Sequence, residues 1–357
     1  VYRVDAEGRP TPVAELLPVQ SRGTWVEPAA ARGHLHEGLP PVVVDMAPDG
    51  YLGRRFADNH PSLELPPRLQ DWSDDHRLIA VARRGEDAPG DLIIGEESLD
   101  RFLRDSVRRS NDLDYPNLAT ASAAGGAGSS AAGEQPKFPA YRAGHHYLVK
   151  FTPGDQSPSD IRWRDLLACE AVALDVLQEA GVPVPQSRIV DVGQRRFLEV
   201  RRFDRIGSRG RRAVLTLGPL DDDLFGGRDS WPETAARLQE AKLVSAADAR
   251  RIRFLEAFGL LIFNGDRHFG NISFFADGLR PRPELVLAPA YDMLPMDAAP
   301  RAGVVPPLPK TAPGMRAKLL DVWEEARLLA RDYWSHVAED VRISTEFRRA
   351  AERHARS

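Results

Sequence analysis

Four polar residues fall within eight positions of the segment FGLLIFNGDRHFGNISFF (258–275): Asn264, Asp266, His268 and Asn271. Apolar runs on both sides imply that the segment is anchored deep in the fold, where a polar group must be satisfied or functional. Asp266 and Asn271 are close enough in sequence for one loop to return both oxygens to the same point. A carboxylate with an amide is a poor zinc site, but it suits magnesium beside a hydroxyl substrate. The same cluster also fits a self-capped turn around a buried histidine. A further carboxylate, Asp292, ends the apolar stretch of LVLAPAYDMLPM (285–296), and a lysine, Lys150, ends YLVK. One acid to accept a hydroxyl proton, an acid and amide to hold a divalent cation, and a lysine to neutralise phosphate oxygens are the parts that phosphoryl transfer requires. Lys150 can also be read as an ordinary snorkelling strand residue.

Composition bears on that lysine. The 357 residues carry 48 Lys plus Arg against 52 Asp plus Glu, a net charge of −4, yet only five of the basic residues are lysines. Where a lysine does occur, the choice of a compact amine over a guanidinium fork carries meaning. Near-neutral net charge removes any global argument for wrapping nucleic acid. The single cysteine, Cys169, forbids an internal disulfide and a cysteine-rich metal site. No apolar run of about 18 residues and no basic leader exists, so a soluble, cytoplasmic chain with no membrane partner is expected.

The elements that must position these residues divide into a β-rich part and a helical part, with a cleft expected between them. VVVDM, beginning at Val42, and LIIG (92–95) read as buried strands, and RGEDAPGD (84–91) reads as turns. Residues 117–133, NLATASAAGGAGSSAAG, have the most flexible composition in the chain. They read as an interdomain linker or as a loop whose unobstructed N–H groups lie over an anion. EQPKFPAYRAGHHYLVKF (134–151) reads as a hairpin, and WRDLLACEAVALDVLQEAG (163–181) as a helix stopped by Gly181. SRIVDVG (187–193) and QRRFLEVRRFDR (194–205) read as two further strands. RLQEAKLV (237–244), residues 246–265 and residues 315–340 carry apolar stripes at helical spacing.

With these segments in order, the sequence resembles the HipA family of serine/threonine kinases, the toxins of bacterial toxin–antitoxin loci. The family's N-x-D-x-H-x-x-N catalytic-loop pattern is met by Asn264, Asp266, His268 and Asn271. Its PxYD element is met by Pro289, Ala290, Tyr291 and Asp292, and its S-x-A-G-x-Q-x-K phosphate loop by SAAGEQPK (130–137). The strand lysine matches Lys150, and the acid on the following helix matches Glu170. The likeness extends upstream through GLPPVVVDM and RRGEDAPGDLIIG, so it covers nearly the whole chain.

The resemblance implies an α+β, two-lobed, protein-kinase-like fold of the HipA type. An N-terminal subdomain is expected at 1–115, an N-lobe at 116–205 with its phosphate loop at 129–137, and a helical C-lobe at 206–357 with its catalytic loop at 264–271. It implies ATP and Mg2+ as cofactors and a protein hydroxyl as acceptor. Asp266 would be the base, Asn271 and Asp292 the magnesium ligands, His268 a loop organiser, and Lys150, held by Glu170, the contact to the α and β phosphates. Ser130, Ala131, Ala132, Gly133, Glu134, Gln135 and Lys137 would cover the nucleotide phosphates. Ser130, beside Ser129, matches the family's self-inhibiting phosphorylation site, where added negative charge opposes phosphate binding. The adenine hinge would involve Glu199, Val200 and Arg201.

Two departures stand out. The hinge reads VRRFDR where the family commonly has V-E-R-F-D-R, with Arg201 in place of the acid. The substrate-side H-Q-E-D pattern is not evident, and LGPLDDDLFGGRDSWPE (217–233) stands in that region. An antitoxin partner is expected, with DNA reached only through that partner or an upstream domain. The chain begins at Val1 without Met, which fits a family branch that carries an upstream winged-helix domain. Other readings are a small-molecule kinase on the same fold, separated by the shape of the acceptor side, and a non-catalytic nucleotide- or DNA-binding regulator. The complete Lys150, Asp266, Asn271 and Asp292 set speaks against the latter.

Overall fold

The computed structural model describes residues 1–19, 22–53, 56–105, 107–124, 135–280, 282–301, 303–311 and 313–356. Strands β1 (Tyr2–Val4), β2 (Pro10–Pro12), β3 (Ala14–Val19), β4 (Gly23–Pro28) and β5 (His34–His36) come first. Helices α1 (Pro41–Met46) and α2 (Asp74–Arg84), strand β6 (Leu92–Ile93), and helices α3 (Glu96–Arg104) and α4 (Tyr115–Ala124) follow. Next are strands β7 (Lys137–Arg142) and β8 (His145–Phe151), helix α5 (Pro158–Glu179), and strands β9 (Ser187–Val192) and β10 (Arg195–Arg201). Strands β11 (Arg205–Ile206) and β12 (Gly210–Arg211) precede helices α6 (Leu217–Leu224), α7 (Trp231–Glu240), α8 (Ala246–Leu261), α9 (Trp323–Glu339) and α10 (Thr345–Ala355).

These elements form two compact units. The first comprises residues 1–149, 201–226 and 274–284. In it β1 pairs antiparallel with both β2 and β6, with Tyr2 opposite Pro12 on one side and Ile93 on the other. A separate sheet has the order β3-β4-β5, with Leu16 opposite Val26. Val4, Val43, Met46, Ala80, Val81 and Ile93 are buried here.

VVVDM is a helix, not the strand expected from its β-branched residues. Pro41 stands at the first turn of α1, where a missing N–H costs nothing, and Val42, Val43 and Met46 are buried. The short apolar run carried no period able to separate the two states. The flexible reading of 117–133 is likewise corrected over its first part, since α4 runs through Ala124. Alanine is the best helix former, and Tyr115 and Ala119 are fully buried. Residues 125–133 lie outside the described residues.

The second unit comprises residues 150–200, 227–273 and 285–357. Its central helix α5 starts at Ser157, whose side chain accepts the Asp160 N–H at 3.1 Å, and ends before Gly181 at φ 76°. Leu166, Leu167, Cys169, Ala173, Leu174 and Leu177 are buried along it, as their helical spacing predicts. β9 and β10 pair antiparallel with Glu199 opposite Arg188. The helix predicted through RLQEAKLV ends at Glu240, and Lys242 takes a left-handed φ of 59°. The one predicted over 315–340 begins as α9 only at Trp323. Ser344, which caps α10, is held by Asp165 of α5 through its N–H at 2.7 Å and its hydroxyl at 2.6 Å. Among the described residues no helix is long and apolar enough to cross a membrane.

Candidate phosphoryl-transfer site

The second unit brings Lys150, Glu170, Asn264, Asp266, His268, Asn271 and Asp292 into one hydrogen-bonded constellation. Lys150 is the point where β8 enters this unit, and its amine is 4% exposed. It donates to both carboxylate oxygens of Glu170 at 2.6 Å and to Asp292 Oδ1 at 2.5 Å. Glu170 comes from the inner face of α5 and is fully buried. Burial alone would lower the amine's pKa, but the charges of Asp292 and Glu170 outweigh it and hold the group above its ordinary range. Lys150 is therefore a fixed cation and not a proton donor.

The loop after α8 is built by its own polar side chains. Phe263, at φ 60°, is the left-handed residue that ends the helix, and the Asn264 N–H reaches back to the Gly259 carbonyl at 2.8 Å. Asn264, with no exposed surface, then does two things. Its Nδ2 donates to the Asp292 carbonyl at 3.1 Å, and its Oδ1 accepts the Asp266 N–H at 3.1 Å. Asn271 Nδ2 donates to the Asp266 carbonyl at 2.8 Å. The backbone of Asp266 is thus gripped from both sides while its carboxylate, 45% exposed, stays outside these bonds. His268 Nε2 lies 4.0 Å from Oδ2. His268 Nδ1 accepts the Gly270 N–H at 3.1 Å, so this ring braces the turn.

Four further residues hold the loop: Tyr291, which the PxYD element contains, and three that neither motif specifies. Trp231 of α7, buried, donates its indole N–H to the His268 carbonyl at 3.2 Å. Arg267 donates to the Asn264 carbonyl and pairs with Glu256 of α8 at 3.3 Å. Tyr291 donates its hydroxyl to the Gly270 carbonyl at 2.6 Å and lies 2.6 Å from Ser273 Oγ. Arg267 and Tyr291 stand next to Asp266 and Asp292 in sequence, which was the available signal. Trp231 and Glu256 had none, because only the fold brings their helices to the loop.

Asp292 has φ 55°, a sparsely populated region for a residue with a Cβ. Its carbonyl is fixed by Asn264 and its carboxylate by Lys150, so the conformation is held at both ends. Asn271 spends its amide N–H on the loop, which leaves Oδ1 as a hard oxygen ligand. With the Asp292 carboxylate it makes a donor set suited to Mg2+ and unsuited to zinc.

The remaining predicted residues are distributed differently. Glu199 is 1% exposed and bound by both arms of Arg188, at 2.9 and 2.7 Å, so its side chain serves a cross-strand ion pair. Val200 closes that segment of the second unit, and Arg201 opens a segment of the first. Gln135 and Lys137 belong to the first unit, where both are buried. Ser129, Ser130, Ala131, Ala132, Gly133 and Glu134 lie outside the described residues.

Comparison with known proteins adds an independent line. Residues 1–103 match the family described as the YjjJ-like toxin, middle domain, and residues 129–356 match the HipA-like C-terminal domain. The chain is 33% identical over 368 residues to Toxin YjjJ of Escherichia coli strain K12, covering 99% of this chain and 82% of that protein. Among solved structures, a chain from the Shewanella oneidensis MR-1 toxin–antitoxin complex of HipA, HipB and operator DNA is similar in fold. Its TM-score is 0.58 at 15% identity, covering 100% of this chain and 96% of that one. The Helicobacter pylori proinflammatory kinase CtkA gives a TM-score of 0.43 at 13% identity, over 62% of this chain and 87% of that one, a likeness too slight to argue from.

Proposed function

The chain belongs to the HipA family of toxins, with that family's kinase-like α+β fold, and from this premise we propose that it is an ATP- and Mg2+-dependent serine/threonine protein kinase. The observation that carries the reading is the contrast between two kinds of group in one site. Lys150, Glu170 and Asp292 form a buried ionic cluster, while Asp266 has a clamped backbone and a carboxylate that faces outward. Such a carboxylate can accept a proton from a hydroxyl that arrives from solvent. The acceptor oxygen bonds to the γ-phosphorus as the bond from that phosphorus to the β-phosphate oxygen breaks, and the hydroxyl proton passes to Asp266.

Asn271 and Asp292 would hold magnesium, which supplies charge neutralisation on the phosphates. Lys150 provides a second fixed positive charge, oriented by Glu170. Asp292 would hold the metal with a carboxylate that also contacts Lys150, and Glu170, bonded to the same amine, would keep the lysine in place. Self-inhibition through phosphate on Ser130 belongs to the same proposal and is supported by the sequence pattern. The Shewanella relative is part of a complex with HipB and operator DNA, which supports a protein antitoxin as partner here, with DNA contacted through it.

Transfer of label from γ-labelled ATP to protein, compared between the wild type and Asp266→Asn, tests this reading. The variant should lose transfer and keep nucleotide affinity, because Asp266 acts on the acceptor. Asp292→Asn should lose magnesium-dependent nucleotide binding as well. Full transfer by Asp266→Asn would remove the proposed base.

A further inference from the structure

The first unit contains a cavity of about 500 Å³, walled by α3, α4, the β7–β8 hairpin and the β11–β12 hairpin. Among the described residues, none of those assigned to phosphoryl transfer lines it. The volume lies within the range of small-molecule sites. Its lining is rich in arginine, and three of these arginines form no salt bridge among the described residues. Arg209 donates to the main-chain carbonyls of Phe102, Leu103 and Asp105, at 2.8 to 3.4 Å. Arg211, 5% exposed, lies over the Phe102 ring at 4.9 Å and donates to the carbonyls of Leu92 and Glu86. Arg108 is exposed and forms no ion pair or hydrogen bond among the described residues.

The acids along the wall are engaged by other groups or open to solvent. Asp87 is already engaged by Arg202 and Arg205, at 2.8 and 3.0 Å. Asp114 accepts the N–H of Asn111 at 2.8 Å. Burial pushes the Glu86 carboxyl up, its Oε2 lies 3.9 Å from Arg101 Nε, and Asp105 is exposed to solvent. Burial, followed by the neighbouring charge of Arg205, lowers the Arg211 pKa, against the opposing charges of Asp87 and Asp204. Opposite the guanidiniums, the Tyr141 and His146 rings lie 4.8 Å apart, and His146 Nε2 is bonded to the Ser208 carbonyl at 2.9 Å. Guanidiniums approaching from two elements favour phosphate, whose several oxygens accept from more than one fork. The adjacent rings, tilted by 53° to one another, offer ring faces to the rest of the molecule.

We propose that this cavity binds a small phosphate ester, with its phosphate on Arg108 and Arg209 and a ring-sized body against Tyr141 and His146. A sugar phosphate and a nucleotide share this chemistry, and calorimetric titration of the full chain with ribose 5-phosphate and with AMP separates them. The titrations use Asp292→Asn as background, which weakens nucleotide binding in the second unit. Ribose 5-phosphate should bind, and Arg108→Glu should weaken it at least tenfold. Arg108→Ala should weaken it less; because Arg108 is exposed and forms no hydrogen bond or ion pair among the described residues, both variants should melt with the parent. AMP binding more tightly than ribose 5-phosphate, with that gain lost in Tyr141→Ala, assigns a nucleotide. Equal affinities assign a sugar phosphate. No binding of either probe at millimolar concentration, or unchanged binding by Arg108→Glu, overturns the proposal.

Discussion

Replacing Lys150 with methionine keeps the side chain's length and removes its charge, leaving Glu170 and Asp292 without their common partner. At an effective dielectric constant of about 20, unit charges 2.6 Å apart attract by roughly 6 kcal/mol before desolvation is counted. Loss of one partner from a buried pair typically costs about 3–5 kcal/mol once desolvation is included. The two acids differ in their recourse. Asp292, 22% exposed, can regain water, whereas Glu170 is at 0% and cannot. Glu170 must then take up a proton. For a carboxyl with a reference pKa of about 4.3, that costs about 3.7 kcal/mol at pH 7 and only about 1 kcal/mol at pH 5.

Lys150→Met should therefore melt roughly 7–15 °C below the wild type at pH 7, using the slope for a folding unit of 150–250 residues. Most of that gap should close at pH 5. On the alkaline side the sign is the reverse. The raised pKa of Lys150 contributes stability that is complete below about pH 10 and is lost only as pH climbs through the folded value, so the gap does not close between neutrality and that point. Thermal melting across pH reads both limbs. Adding Glu170→Gln removes the stranded acid, and the double variant should be more stable at pH 7 than Lys150→Met alone. A single variant within 1 °C of wild type at pH 7, or a double variant less stable than the single, would refute the reasoning.

Other perturbations address the loop. Asn264→Ala removes two buried hydrogen bonds, to the Asp292 carbonyl and from the Asp266 N–H, and should cost roughly 2–3 kcal/mol by denaturant titration together with most of the transfer activity. Tyr291→Phe loses the 2.6 Å contacts to Gly270 and Ser273 and should slow transfer about tenfold while nucleotide affinity stays within twofold. A matching fall in affinity would place Tyr291 in nucleotide binding instead. Glu256→Gln loosens Arg267 from α8 and should lower transfer several-fold, with a smaller loss of stability than Asn264→Ala.

Legibility in the sequence followed the range of the interactions. The β7–β8 hairpin was readable because its apolar segments flank a turn, and the structure places Ala143 and Gly144 there at φ 49° and 86°. Helix α5 was readable from its spacing and its glycine stop. VVVDM was not, since a run of three valines looks alike to a strand and to a buried helical turn until tertiary packing decides. α4 was missed for the opposite reason: small residues read as flexible, yet alanines fold readily once Tyr115 is buried. At the site, Asn264, Asp266, His268 and Asn271 were visible because one loop carries them all. Their division of labour was not, because spacing cannot tell which amide spends its N–H on the backbone and which carboxylate remains free. The family resemblance implied the Lys150–Glu170 pair, whereas the contact of Lys150 with Asp292 spans 142 positions and came only with the folded unit.

The central claim is that Asp266 receives the proton of a hydroxyl during transfer from ATP. Intact-mass measurement after incubation with Mg-ATP, followed by peptide mapping, addresses it most directly. The wild type should gain phosphoryl mass on serine or threonine, with Ser130 as the expected position, and Asp266→Asn should gain none while still binding nucleotide. An equal mass gain in Asp266→Asn, or none in a wild type that binds Mg-ATP and is offered cell lysate as substrate, would contradict the account.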